Sequence, residues 1–292
     1  MSFTNKLLTV TLDLAAGKFS GGGNTTTIAN LRMSATIISV GGASSGNMEL
    51  AIYGLPLTLM NQMSTVGTQL DQQDKNKISV QAGDAQSGQT LVFQGLIHNA
   101  FVDAQAMPQV CFRISAVPGG GYWAVEPVPP ISLPGSQDVA GMMGKLAGQM
   151  GLTLENNGVN VKLVNPYYPG SPWTQAVRIA KHANIEMVVD KGVLAISPAG
   201  TPRNGSSPMI SPTSMPPMVG YPAFRQAGII VKSQFNPAVK VNGTIQVQSS
   251  LTPANGTWMV TRIVYELESL MPHGRWFQTM EATLAKGNQD PA

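Results

Sequence analysis

The sequence predicts a mainly β protein (β+α), with two β-barrel-like units and a small α/β insertion between them. Three observations carry this. Apolar residues alternate over much of 6–117 and again over 224–284, the period of a half-buried strand. Between these regions the apolar spacing turns helical, first around Met142 and then around Val177. The chain also holds 31 Gly and 21 Pro, which punctuate it into short elements.

In the first unit, expected over 1–118, Leu8, Val10, Leu12 and Leu14 alternate with Thr9, Thr11 and Asp13. That period, and the charge of Asp13, argue against reading the N-terminus as an export signal. GKFSGGGN is a turn, and strands follow over 28–40 and 48–53, separated by GGASSGN. Pro56 opens a short helix carrying Leu59, Met60 and Met63, with Gly67 to end it. Strands over 77–83, 90–101 and 107–117 complete the unit, and Gly119-Gly120-Gly121 marks a boundary. In the last of these, Cys111 shares the more polar face with Arg113 and Ser115 and reads as a structural thiol. As the single cysteine, it excludes an intrachain disulfide.

Residues 119–134, which take in most of YWAVEPVPPISLPGS (122–136), form a Pro-rich connector suited to an edge strand. The α/β insertion follows over 135–198. Ser136 or Asp138 caps a helix with the stripe Val139, Met142, Met143, Leu146 and Met150, ended by Gly151. After a short strand over 159–163, Ser171 and Pro172 start a second helix with Trp173, Val177 and Ala180 on one face. A hairpin turns at Asp190-Lys191-Gly192. Residues 199–219 are a Pro-, Ser- and Met-rich loop, either mobile or pinned to a partner. Its exposed methionines suit an adaptable contact surface.

The second β unit spans 220–292. In FNPAVKVNGTIQV, Val239, Val241, Ile245 and Val247 face one way, and Lys240, Asn242, Thr244 and Gln246 the other. Asn236-Pro237 suits a turn, and Asn255-Gly256 is a hairpin signal. Within TWMVTRIVYELESL the apolar phase moves by one residue, which places a β-bulge near Arg262. The last strand sets Trp276, Met280, Ala282 and Leu284 against Phe277, Thr279, Glu281 and Thr283.

Charged residues make up only 11% of the 292, where an average domain carries roughly 25%. Either the surface is neutral and polar, or much of it is covered in a permanent assembly. Net charge is +3 and the basic residues are scattered singly, so no nucleic-acid-binding stripe is present. No apolar run is long enough to span a membrane.

Chemistry is sparse. His98, His182 and His273 fall in no metal-binding pair, and no cofactor is expected. GMMGKLAG fails as a phosphate loop, because Val139 and Leu146 of the helix stripe stand where such a loop needs Gly and Ser or Thr. Glu266 and Glu268 share a strand face, as a solvated or interface edge. No catalytic residue is proposed, and an enzyme is not expected.

The segments IYGLPLTLMNQMSTVG, VAGMMGKLAGQMGLTL, WTQAVRIAKHANIEMVVDKGVLAISP, QFNPAVKVNGTIQV, NGTWMVTRIVYELES and GRWFQTMEATL, in that order, resemble the baseplate hub proteins of contractile-tailed bacteriophages, the late-control tail protein family. The resemblance implies two tube-like β-barrel domains per chain and a homotrimer forming a pseudo-six-fold ring. Such a ring joins the tail tube to a central spike and lines the DNA ejection channel. It implies as partners the spike protein, tail tube or tape-measure and tube-initiator proteins, and baseplate wedge proteins, with DNA passing without specific binding. The protein would be made in the host cytoplasm and reside in the virion's tail baseplate. Candidate interface residues are Tyr53, Asn61 and Gln62 by resemblance, and Trp258 and Trp276 as strand-borne aromatics that also suit a barrel core. The alternatives are a tail-associated binding module, centred on the insertion, and a cell-wall hydrolase.

Overall fold

The structure, a computed structural model, describes residues 5–15, 17–19, 21–42, 46–64, 76–118 and 128–284. The glycines at 67 and 119–121, part of the GGASSGN loop and residues 122–127 of the connector lie outside the described residues. The chain packs as two units that do not follow chain order. The first gathers Met1–Ile38, Gly46–Pro118 and Val264–Gln278; the second gathers Ser39–Ser45, Gly119–Ile263 and Thr279–Ala292.

The first unit contains β1 (Lys6–Asp13), β2 (Thr25–Ile28), β3 (Met33–Val40), β4 (Asn47–Tyr53), α1 (Leu57–Met63), β5 (Lys77–Asp84), β6 (Gly88–Asp103) and β7 (Cys111–Pro118). The strands order as β3-β4-β7-β6-β5-β1-β2, with antiparallel pairing throughout. Alternate residues turn inward: Leu8, Val10, Leu12, Ile37, Leu50, Ile78, Val80 and Ile114 are all essentially buried, and Val10 and Leu12 lie opposite Val80 and Ile78. Each such side chain contributes about 1.5–3 kcal/mol of burial.

The single strand expected over 28–40 is two strands. Asn30 takes a left-handed φ of 57°, which Asn tolerates, and the chain turns there. The strand expected from Met107 begins only at Cys111, because Gln109 and Val110 donate to Ala106 and Pro108 carbonyls in a turn. β6 pairs through Gly88–Leu96 with β5 and through Gly95–Asp103 with β7. His98 is the extra residue at a bulge between Ile97 and Asn99. Gly95 permits this packing, since a Cβ there would lie 2.0 Å from the Val117 carbonyl oxygen. Cys111 is buried despite its polar strand neighbours.

The second unit opens with β8 (Val128–Ser132), β9 (Ser136–Asp138), α2 (Val139–Gln149), β10 (Thr153–Asn156), β11 (Lys162–Val164), β12 (Tyr167–Gly170), α3 (Pro172–His182), β13 (Ile185–Asp190) and β14 (Val193–Pro198). Asp138 caps α2 by accepting from the Gly141 N–H at 2.7 Å, and Ser171 caps α3. The α2 stripe is buried as the spacing requires. In α3 the buried face is instead Gln175, Ala176, Ile179 and Ala180, with Trp173 and Val177 at its half-buried margin. Gln175 belongs inside because its amide donates to the Gly170 carbonyl at 2.8 Å. These helices share one core with Leu194 and Ile196 of the β10-β14-β13 sheet. The β13–β14 hairpin has a two-residue loop, Lys191 and Gly192 at φ 53° and 79°, as the sequence expects.

The rest of this unit is β15 (Met209–Ile210), β16 (Ala223–Arg225), β17 (Gly228–Gln234), β18 (Thr244–Val247), β19 (Gly256–Ser269) and β20 (Trp276–Leu284). Only Thr244–Val247 of the expected 239–247 strand is extended. Val239 and Val241 are buried, but Asn242 at φ 59° turns inward and its amide donates to Glu186. Asn255-Gly256 is not a tight hairpin. Residues 248–255 join β18 to β19, and Asn255 Oδ1 accepts from the Ser249 N–H.

Within the chain, residues 199–219 are held by other parts of the same unit. β15 pairs in parallel with β18, Met218 bridges Ser233, and Arg203 is buried.

β19 and β20 contribute to both units. Along β19 the buried positions are Trp258 and Val260, then Ile263, Tyr265 and Leu267. The phase moves at Thr261 and Arg262, where the sequence places it. Within the first unit, β19 neighbours β3: Ser34 Oγ donates to Glu268, and Ser269 Oγ to the Leu31 carbonyl. The class is mainly β, as expected. The barrels are not closed by hydrogen bonding among the described residues, because the ladder ends in β2 and β16, strands of four and three residues.

Candidate functional site

Tyr53 ends β4, and Gly54 at φ 82° turns the chain into α1. The turn opens a groove of about 360 Å³ lined by Arg32, Tyr53, Leu55, Met60, Pro108 and Val110 among others. The Arg32 guanidinium lies over the Tyr53 ring, 4.4 Å from its centroid, and the Tyr53 N–H donates to the Arg32 carbonyl. α1 buries Met60 and Met63 and leaves Asn61 and Gln62 exposed. Tyr53 thus sits in the groove, on whose wall Met60 also lies, and Asn61 and Gln62 occupy the outer face of that same helix.

The tryptophans are placed differently. Trp258, 6% exposed, fills the core of the second unit, and its indole N–H donates to the Ala254 carbonyl at 2.9 Å. Trp276 opens β20 half-buried, as part of the first unit.

The carboxylates are structural. Arg275 binds both Glu266, at 2.7 Å, and Glu268, at 2.8 Å. Burial opposes ionisation of Glu268, but hydrogen bonds from the Arg275 backbone and guanidinium outweigh it and hold its carboxyl below the usual range. Glu281 is shared by Arg225 and Arg262 in the same manner. Held ionised by Arg275, Glu268 does not suit the proton-donor role that glycoside hydrolysis requires. His98 is exposed, His273 sits in a turn, and His182 Nδ1 lies 2.9 Å from the Tyr168 hydroxyl. Among the described residues no cluster of His, Cys, Asp or Glu could hold a metal, and no helix is long and apolar enough to cross a membrane.

Two features escaped the sequence. Arg32 gave no signal, because its place beside Tyr53 depends on the Asn30 turn and on strand pairing. Arg203, in an aperiodic loop, forms a two-bonded fork with Glu155, Nε and Nη2 each 2.9 Å from an oxygen, and reaches Asp190 at 3.4 Å. The guanidinium holds the Glu155 carboxyl down at about 2. A lone Arg among Pro, Asn and Gly was the one available hint.

The strand-rich units and the α/β segment make up a fold that this chain shares with tail proteins of known structure. A tail protein from Neisseria meningitidis MC58 superposes with TM-score 0.63 at 10% identity, covering 95% of this chain and 96% of that one. The prophage MuSo2 43 kDa tail protein from Shewanella oneidensis gives 0.59 at 12% identity, over 97% and 98%. The E. coli c3393 protein, a component of the type VI secretion system, gives 0.56 at 9% identity, over 93% and 76%. No curated protein matches by sequence. The chain belongs to the baseplate hub gp41 family, whose model matches residues 7–279. It is accordingly a structural protein of a tail baseplate and associated with the virion.

Proposed function

We propose that the chain is a trimeric baseplate hub. Three copies, each supplying two strand-rich domains (1–118 and 220–292, with the connector 119–134, the insertion 135–198 and the segment 199–219 between), form a pseudo-six-fold ring. The ring joins the tail tube, or its tape-measure and initiator proteins, to a central spike, with wedge proteins around it. Its lumen passes DNA without binding it specifically. The protein is synthesised in the host cytoplasm and incorporated into the tail.

The observation that carries the reading is the family match over 7–279, on a chain whose strands pack into two units. Support comes from the short terminal strands β2 and β16, whose outer edges can accept a neighbour's strand. The surface of the second unit adds exposed Met209, Met215, Tyr221 and Phe224 within one short stretch of chain. Tyr53, Asn61, Gln62 and Trp276 are the contact residues in this reading, with Trp258 fixing the strands behind.

Light scattering across protein concentration and salt tests it. The expected mass is three times the 30.8 kDa of one chain. A strict monomer throughout the range would refute a self-assembling ring.

A further inference from the structure

The chain has seven arginines, all described. Six donate to an acceptor within the molecule: Arg113 to Asp103, Arg178 to the Pro169 carbonyl, Arg203 to Glu155 and Asp190, Arg225 and Arg262 to Glu281, and Arg275 to Glu266 and Glu268. Arg32 alone has no acceptor among the described residues, and its Nε is buried without a hydrogen-bond partner. A guanidinium is planar and permanently charged, and a carboxylate satisfies it through two parallel bonds. Here the Tyr53 ring already holds it in place at 4.4 Å.

The rest of the groove narrows the ligand. Ile52, Leu55, Met60, Pro108 and Val110 give apolar walls, and Arg32 is the one charged residue lining it. Leu57 and Met107, chain neighbours of the lining residues, are 62% and 74% exposed. The N–H groups of Tyr53, Gln109 and Val110 are spent on carbonyls of the same chain. The groove therefore offers little of the N–H array that captures a chain terminus, and instead offers one fork beside an apolar trough.

We propose that this groove docks an extended segment of another protein, in which a glutamate or aspartate side chain sits beside apolar residues. Its carboxylate pairs with Arg32, and the flanking side chains lie along Leu55, Met60 and Val110. The reading of the chain as an assembly subunit supplies the source of that segment; the chemistry of recognition rests on the groove alone.

The test uses the full chain and two capped peptides, Ac-Ala-Leu-Glu-Leu-Ala-NH2 and its Gln counterpart, followed through the Arg32 Nε–H resonance. The Glu peptide should move that resonance and bind about tenfold more tightly than the Gln peptide. Arg32→Lys, which keeps the charge and loses the fork, should erase most of that preference. Because the peptide pair probes the unmodified protein, a poorly folding variant does not spoil the test. Equal affinity for both peptides, or no shift at millimolar peptide, overturns the proposal. A resonance that moves with protein concentration alone assigns the groove to a second copy and also overturns it. A monomeric chain that still prefers the Glu peptide would sink the ring and keep the groove, and a trimer indifferent to both peptides would do the reverse.

Discussion

Replacing Arg203 with Met should be among the most damaging single changes in the second unit. Arg203 is 7% exposed, and its guanidinium is bonded to Glu155 on β10, Asp190 on β13 and the Val241 carbonyl. Without it, the Asp190 carboxylate, whose side chain is only 6% exposed, stays buried without its guanidinium partner, next to Lys191. Breaking a buried pair from one side costs about 3–5 kcal/mol. With a urea slope of about 2 kcal/mol per molar, the midpoint should fall by about 2 M. The gap should also depend on pH. Glu155 has its carboxyl at about 2 in the folded chain against an ordinary 4.5. Because the folded group is the more acidic, its contribution is complete above pH 4.5 and is lost as the pH falls toward 2. Wild type and Arg203→Met should therefore converge through that window in urea titrations at stepped pH. A midpoint change under about 0.5 M at neutral pH, or a gap that ignores acid, would refute the account of Arg203 as the tie between the 199–219 segment and the sheet.

Glycine substitutions should split by environment. Gly95→Ala drives a Cβ to 2.0 Å from the Val117 carbonyl oxygen and should cost about 3 kcal/mol or more by thermal melting. Gly148→Ala, inside α2 with nothing within 4 Å, should stabilise by about 0.5–1 kcal/mol, and a loss there would contradict the helix geometry. Buried Cys111 should resist a thiol reagent in the folded protein and react fully in denaturant; fast native labelling would show that β7 opens readily. Arg275→Ala removes an exposed pairing, so its cost should be within about 1 kcal/mol and shrink with salt; a larger, salt-independent loss would mean the contact is buried in solution.

What the sequence made legible was local. The alternation in β1, the caps at Asp138 and Ser171, the Lys191-Gly192 turn and the phase change in β19 depend on neighbours a few residues away. Where distant partners decide, reading along the chain failed. Asn242 looked like a polar strand residue until Glu186, 56 positions away, drew its amide inward. The α3 face rotated because Gln175 finds carbonyls at Gly170 and Pro129. Asn255-Gly256 has the composition of a tight turn, but Asn255 spends its side chain on Ser249. The 199–219 segment shows no period because it is held by one ion cluster and a two-residue strand rather than by a repeating face. At the candidate site, Tyr53 and the α1 residues could be named from the chain. Arg32 could not, since its isolation is visible only once the partners of the other six arginines are known.

β19 and β20 each begin in one unit's core and end in the other's, so neither unit corresponds to a continuous piece of gene. Two crossovers, one on each side, could exchange the α2–α3 segment and leave both shared strands whole, whereas a single crossover anywhere before Gln278 divides segments that the first unit's core needs together. Variation of this protein should therefore accumulate as whole-chain replacement or as drift in the insertion, and the strand-rich remainder should be inherited as one block.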